Sequence, residues 1–284
     1  STITACYNTG AVTATNWYAG GVAGGNANTS TVTDCYNTGV VSSSVDCAGG
    51  VVGGNASTST ITACYNTGTV IGSISAGGVL GWNNSGSTIT DCYNTGAVTA
   101  ASNAGGVVAA NSTGSTITAC YNTGAVTSNN NSAGGVAGSN RDTSTITACY
   151  NTGSVSASNE YAGGVAGQNY NNGTITACYN TGAVTAASTA GGVAAYNNSS
   201  VITACYWLKL TVPNGAAKGI GDPASDDGAA PFNGAGSWPE FTTDWLAYKW
   251  TASGDESPPS SRYWKSVGGW NSGSPVFPKL YWEP

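Results

Sequence analysis

The chain has no histidine and no methionine, and only 7% of its 284 residues are charged. Without histidine there is no His-containing zinc set, no Ser-His or Cys-His pair, and no side chain that titrates unaided near neutral pH. Basic residues are also scarce: 7 Lys and Arg face 13 Asp and Glu, for a net charge of −6. That excludes the basic footprint a phosphate backbone requires, so no nucleic acid partner is expected. Long apolar runs are missing too. None approaches the roughly 20 residues of a membrane span, and no basic amphipathic stretch is present, so no membrane insertion is expected. Asn, Thr, Ser, Ala and Gly dominate instead, with Gly alone numbering 42. Such a set suits short strands joined by tight turns. The chain begins at Ser1 with neither Met nor a signal-like segment, which predicts a processed product or a fragment.

What is present is repetition. The tetrad Cys-Tyr-Asn-Thr starts at Cys6, Cys35, Cys64, Cys92, Cys120, Cys149 and Cys178, with a degenerate copy at Cys205; the spacings are 29, 29, 28, 28, 29, 29 and 27. A period in this range marks stacked supersecondary units, none of which buries its apolar face alone. Each unit carries three strand-length segments, in the first unit Thr2 to Tyr7, Gly10 to Thr13 and Gly20 to Asn26. Comparison between units separates inside from outside. The Ile3 position recurs as Val32, Ile61, Ile89, Ile117, Ile146, Ile175 and Ile202. The Val12 and Val22 positions stay apolar in the same way, and with the cysteines they form four inward ladders. The Gly25 position runs Gly54, Trp82, Ala110, Ser139, Gln168 and Tyr196, a variation that belongs to a solvent-facing column. The expected fold is all-β: a parallel β-helix (β-solenoid) of about seven 27- to 29-residue coils over residues 1–205, followed by a Trp- and Pro-rich module at 206–284. Asn at the corners, such as Asn8 and Asn26, is expected to tolerate left-handed backbone and to bond its copies above and below.

The segments GGVAGGN at Gly20 to Asn26, GGVVGGN at Gly49 to Asn55 and GGVLGWN at Gly77 to Asn83, with those at 134–140 and 163–169, resemble the GLUG repeat of bacterial surface proteins. The CYNTG segments fit that pattern, while GGVVAAN at Gly105 and GGVAAYN at Gly191 depart from it by carrying Ala for Gly. The resemblance implies an adhesin-like, secreted or cell-surface setting. Some proteins with this repeat are large immunoglobulin-cleaving metallopeptidases, but a chain without His has no HExxH to carry that chemistry.

Candidate sites follow from the columns. The cysteines Cys6, Cys35, Cys64, Cys92, Cys120, Cys149, Cys178 and Cys205 read as a reduced, structural packing ladder, because parallel side chains are poorly placed for bridging and offer no converging metal set. Only Cys47 lies outside the column. The pairs Thr2/Thr4, Thr31/Thr33, Thr60/Thr62, Thr88/Thr90, Thr116/Thr118, Thr145/Thr147 and Thr174/Thr176 predict a flat, exposed hydroxyl grid. Its spacings of about 6.7 Å by about 4.8 Å follow from strand geometry. The grid resembles the threonine faces of solenoid antifreeze proteins, although Thr also simply suits the outer side of a strand. Asp34 and Asp91 replace Ala at one repeat position, two coils apart, and no burial partner for either is visible in the sequence. The Gly219 to Gly228 stretch lacks ordered calcium-loop spacing and reads as a loop.

After Cys205 the composition changes: seven of the nine Trp and all nine Pro fall there. The Trp-rich end, from Tyr263-Trp264-Lys265 through Trp270 and Pro275 to Pro278 and Trp282, reads as a cap for an exposed solenoid end, with carbohydrate recognition by aromatic platforms as the rival. Together these observations predict a non-enzymatic extracellular structural or adhesive element without catalytic, metal or cofactor residues. Its expected partners are further copies of itself, joined head-to-tail into a filament, or a cell-surface or matrix component. Ice binding through the Thr face is the alternative, and a polysaccharide-binding or -cleaving β-helix stands third.

Overall fold

The computed structural model describes residues 1–210, 212–232, 264–266, 269–271, 274–277 and 279–283. Its described secondary structure is all strand. The repeats stack as a parallel β-solenoid in which each residue pairs with its counterpart one coil away, as in Thr2↔Thr31 and Tyr36↔Tyr65. We number the coils from 1, beginning at Thr2, to 8, beginning at Val201.

Coils 1 to 6 each contain five short strands rather than three, and in coil 7 the last two merge into Thr189–Asn198. In coil 1 these are Thr2–Thr4, Tyr7–Asn8, Val12–Ala14, Tyr18–Gly20 and Ala23–Asn26. They contribute to four sheets: an 8-stranded threonine face, a 9-stranded tyrosine face, a 7-stranded valine face and a 14-stranded glycine face. The first segment, read in the sequence as one strand, is broken at Ala5. There the backbone turns left-handed, with φ of 54°, and the same corner recurs at Asp34, Ala63, Asp91, Ala119, Ala148, Ala177 and Ala204 with φ between 50° and 56°. Alanine carries a cost in that region. The ladders on both sides impose the corner, since the Ala5 amide already bonds the Thr33 carbonyl and the Tyr36 amide bonds the Cys6 carbonyl.

The interior holds two apolar clusters. One contains the Ile, Cys and Val22 columns together with the residue after each Val; the other contains the Val12 column with Ala19 and its counterparts. Two ladders of Asn accompany them, one in the tyrosine face and one where the glycine face turns toward the threonine face. The Asn37, Asn66, Asn94 and Asn122 side chains are fully buried, and each Nδ2 donates to Oδ1 of the next coil at 2.7 to 2.8 Å. Asn55, Asn83 and Asn111 do the same in the glycine face at 2.8 to 2.9 Å. These Asn lie in strands and none has positive φ, contrary to the left-handed corners expected of them. They bond instead because a buried amide left unpaired costs on the order of 1 to 3 kcal/mol. Glycine is required beside them: a Cβ at Gly50 would lie 2.0 Å from the Gly78 carbonyl oxygen and 2.4 Å from Asn66.

The far end of the stack is closed by residues 205–210 and 212–232. Strand Cys205–Leu208 continues the tyrosine face, Ala229–Phe232 pairs with it, and Lys218–Asp222 pairs with the glycine face. Trp207 takes the place of the next Asn, is 1% exposed, and lies over Gly192. The Trp-rich tail has a different position. Its strands Trp264–Ser266 and Lys279–Leu280 pair antiparallel, and Trp264, Leu280 and Phe277 pack on the flank of the tyrosine face rather than on the end. Trp270 lies in the strand Gly269–Asn271, while Tyr263 and Pro278 lie outside the described residues.

Candidate interaction faces

The threonine face carries all seven Thr-x-Thr pairs in register, from Thr2 and Thr4 through Thr174 and Thr176, and it ends at Val201 and Thr203. Alternation along each strand sends Ile or Val inward and both threonines outward. The grid is less open than the sequence suggests. Only Thr2 and Thr4, on the first coil, are exposed; Thr31, Thr33, Thr60, Thr62, Thr88, Thr90, Thr116, Thr118, Thr145, Thr147, Thr174 and Thr176 are half-buried, because each is flanked by its copies above and below. Thr88 donates its hydroxyl to Thr60 Oγ1 at 3.3 Å. Behind the outward side chains the strand ends also hold the corner: the Thr118 backbone carbonyl accepts the Asp91 amide at 3.2 Å and the Cys120 thiol at 3.1 Å. The result is an uncharged, in-register and partly shielded hydroxyl surface.

The cysteine column lies inside. All nine cysteines carry free thiols, and the column is buried except at Cys6. Each Sγ is aimed at its own strand, as in Cys92 to the Thr90 carbonyl at 3.1 Å and Cys149 to the Thr147 carbonyl at 3.2 Å. Burial pushes the Cys92 and Cys149 thiols well above their ordinary range. Cys47 is buried in the glycine face next to Asp46, and burial with that carboxylate pushes its thiol up to about 12. Thiols held protonated in this way are poor nucleophiles.

The tyrosine face was not singled out in the sequence, although the tetrads contain its signal. Tyr7, Tyr36, Tyr65, Tyr93, Tyr121, Tyr150 and Tyr179 stack with ring centroids 4.8 to 5.1 Å apart and planes within 7°. The tail lies on the later rungs. Trp282 stacks across Tyr93 and Tyr121 with centroids at 6.0 and 5.4 Å, and its Nε1 donates to the Ala119 carbonyl at 3.1 Å. Tyr281 donates its hydroxyl to Asp91 Oδ2 at 2.5 Å, and Tyr150 donates to the buried carboxylate of Glu283. Asp91 therefore does have a burial partner, against the expectation from sequence. Burial raises its pKa to about 6, with the Tyr281 hydroxyl pulling the other way, and its Oδ1 has no hydrogen-bond partner. Asp34, at the same position two coils earlier, is exposed, so the two carboxylates occupy different environments along one column.

Two aromatic features mark the first three coils on the glycine-face side. Tyr18 and Trp82 bound a shallow trough floored by Gly25 and Gly54, and Trp17, Val45 and Ile74 form an exposed apolar patch with Asp46 beside it. In the Gly219 to Gly228 stretch the Asp226 carboxylate is engaged by Lys218 Nζ and the Gly219 amide, both at 2.8 Å. Among the described residues no cluster of three or more His, Cys, Asp or Glu is placed to hold a metal ion.

The family model for the GLUG motif matches residues 15–42 and 158–185. The chain carries GLUG repeats. Each matched span runs from the turn before the glycine face into the next tyrosine and valine strands or their equivalents, so the GLUG unit straddles a coil boundary and closes only when stacked. The chain is also similar in structure to a crystal structure from Bacteroides ovatus described as a "putative immunoglobulin A1 protease", with a TM-score of 0.56, 19% sequence identity, and coverage of 89% of this chain and 78% of that one. At that identity the likeness establishes a shared fold for the GLUG solenoid. No curated protein matches the sequence.

Proposed function

We propose that this GLUG solenoid is a non-catalytic, extracellular structural or adhesive element. The observation that carries the reading is the unbroken register: backbone, Asn, Tyr and Thr ladders all pass from coil to coil in step, the architecture of a stiff rod rather than of a closed catalytic pocket. Parallel ladders about 4.8 Å apart load every backbone bond along one axis. Single-molecule pulling between the termini tests this: stepwise release of single coils at high force supports a load-bearing element, and collapse at forces typical of loose helical bundles sinks it. In the finer form of the proposal the rods join head-to-tail, with a second copy adding to the edges of Lys218–Asp222 and Ala229–Phe232. Sedimentation that stays monomeric at all concentrations rejects that form.

A second reading is favoured by one observation, the seven in-register Thr-x-Thr pairs on one sheet. In this reading the hydroxyl grid binds ice. An ice-recrystallisation assay decides it: inhibition that is lost on Thr62→Lys and Thr90→Lys supports the reading, and a wild-type chain without effect on ice crystals removes it.

A further inference from the structure

The tail is held by three features of the solenoid that repeat. A carboxylate at the left-handed corner, Asp91, takes the Tyr281 hydroxyl; a pair of stacked rungs, Tyr93 and Tyr121, takes the face of the Trp282 indole; and the next corner carbonyl, Ala119, takes the indole N–H. The corner carbonyl is available because the backbone ladder skips it: the following Cys and Tyr make the coil-to-coil bonds.

Translation by two coils lands each feature on a chemical equal. Asp34 stands where Asp91 stands, Tyr36 and Tyr65 replace Tyr93 and Tyr121 with centroids 4.9 Å apart, and the Ala63 carbonyl replaces that of Ala119. No donor among the described residues reaches the Ala63 carbonyl. Asp34 and Ala63 are exposed, whereas Ala119 is fully buried beneath the tail. Aspartate interrupts the alanine corner column only at these two coils, the one where the tail is seated and the one two coils before it.

We propose that Asp34, Tyr36, Tyr65 and the Ala63 carbonyl form a second copy of this seat, which binds a partner chain through a segment presenting adjacent tyrosine and tryptophan. The phenol donates to Asp34, the indole lies flat across Tyr36 and Tyr65, and its N–H donates to Ala63. The three rungs of coils 1 to 3 leave length for such a short segment and not for the whole tail, which spans Tyr93 to Tyr179. A second copy of this chain is a poorer occupant, since its own Tyr281 and Trp282 are already engaged.

The test uses the full chain and a synthetic blocked peptide Lys-Leu-Tyr-Trp-Glu, titrated by calorimetry. Saturable binding at one site is expected, weakened about tenfold by Asp34→Ala through loss of a charge-assisted hydrogen bond. Asp34→Ala retains the fold, because Ala adopts the same corner at Ala5 and Ala63. Tyr65→Ala, and replacement of the peptide Trp by Phe, should each weaken binding as well. Asp91→Ala should leave the peptide affinity within about twofold, the two seats being separate. Absence of saturable binding, or binding that Asp34→Ala leaves unchanged, overturns the proposal. So does loss on Asp91→Ala alone, which would mean the peptide merely exchanges with the chain's own tail. Self-association without peptide that Asp34→Ala abolishes would transfer the seat to a second copy and overturn the partner assignment.

Discussion

Coils 1 to 3 and coils 4 to 7 are built from nearly the same sequence, yet their tyrosine faces have different fates. Tyr7 is 63% exposed, whereas Tyr179 is 1% exposed and sits under Trp264 and Phe277. The corner alanine is exposed at Ala63 and fully buried at Ala148. Repetition therefore specifies the coil but not its environment. A segment from outside the repeat lies along Tyr93 to Tyr179, burying Tyr150 and Tyr179 in a third apolar cluster, and leaves Tyr7, Tyr36 and Tyr65 uncovered.

Removing residues 264–284 should erase the difference and have the largest effect. Trp264 and Leu280 are fully buried against the solenoid, so their loss should cost roughly 5 kcal/mol of stability. Amide exchange in coils 5 to 7 should rise to the level of coils 1 to 3; unchanged exchange would mean the tail adds nothing. Single rungs sharpen the contrast. Tyr179→Ala should destabilise by about 3 to 4 kcal/mol and Tyr36→Ala by about 1 kcal/mol in denaturant unfolding, and equal costs would refute the asymmetry. Next comes pH. The folded-state pKa of Asp91 is raised to about 6 from the usual 3.8, so the folded chain binds the extra proton and stability falls as pH rises from about 4 through about 6. Partial exposure limits the loss to about 1 to 2 kcal/mol, and Asp91→Asn should flatten that part of the stability profile. The smallest effect is expected from Asp34→Ala, within about 0.5 kcal/mol in the same unfolding assay, since an exposed corner has no partner to lose.

The solenoid was legible because its signal is periodic. Ile61, Val70, Val79 and Cys64 recur in step, and stacked coils bring each of these apolar columns into register. The corners were less legible. Left-handed backbone is usually announced by Gly or Asn, whereas here Ala5 and Ala63 adopt it because ladders on either side force it, and the buried Asn that suggested it lie in extended strands. The threonine pairs were placed on the right face, but the shielding of Thr116 and Thr118 by their neighbours comes from stacking, which a single repeat does not display. The tail's position could not be read from periodicity, which says nothing of a segment that does not repeat. Its only trace was the pair Asp34 and Asp91, which looked like surface substitutions because the tyrosine that buries Asp91 lies 190 residues further along the chain. The tyrosine column was visible in every tetrad but was masked by the cysteine beside it.

The Asn ladders give the molecule a vector. In both of them the N–H side of each amide points toward the later coil and the oxygen toward the earlier one, as in Asn37 to Asn66 and Asn55 to Asn83. Neighbouring strands of a sheet largely cancel their dipoles, but these side-chain amides add, and each polarises the next. The rod thus resembles a small electret, with its negative pole at coil 1 and its positive pole toward coil 7. An applied field or a charged surface would distinguish the two ends by polarity alone, before any side chain makes contact.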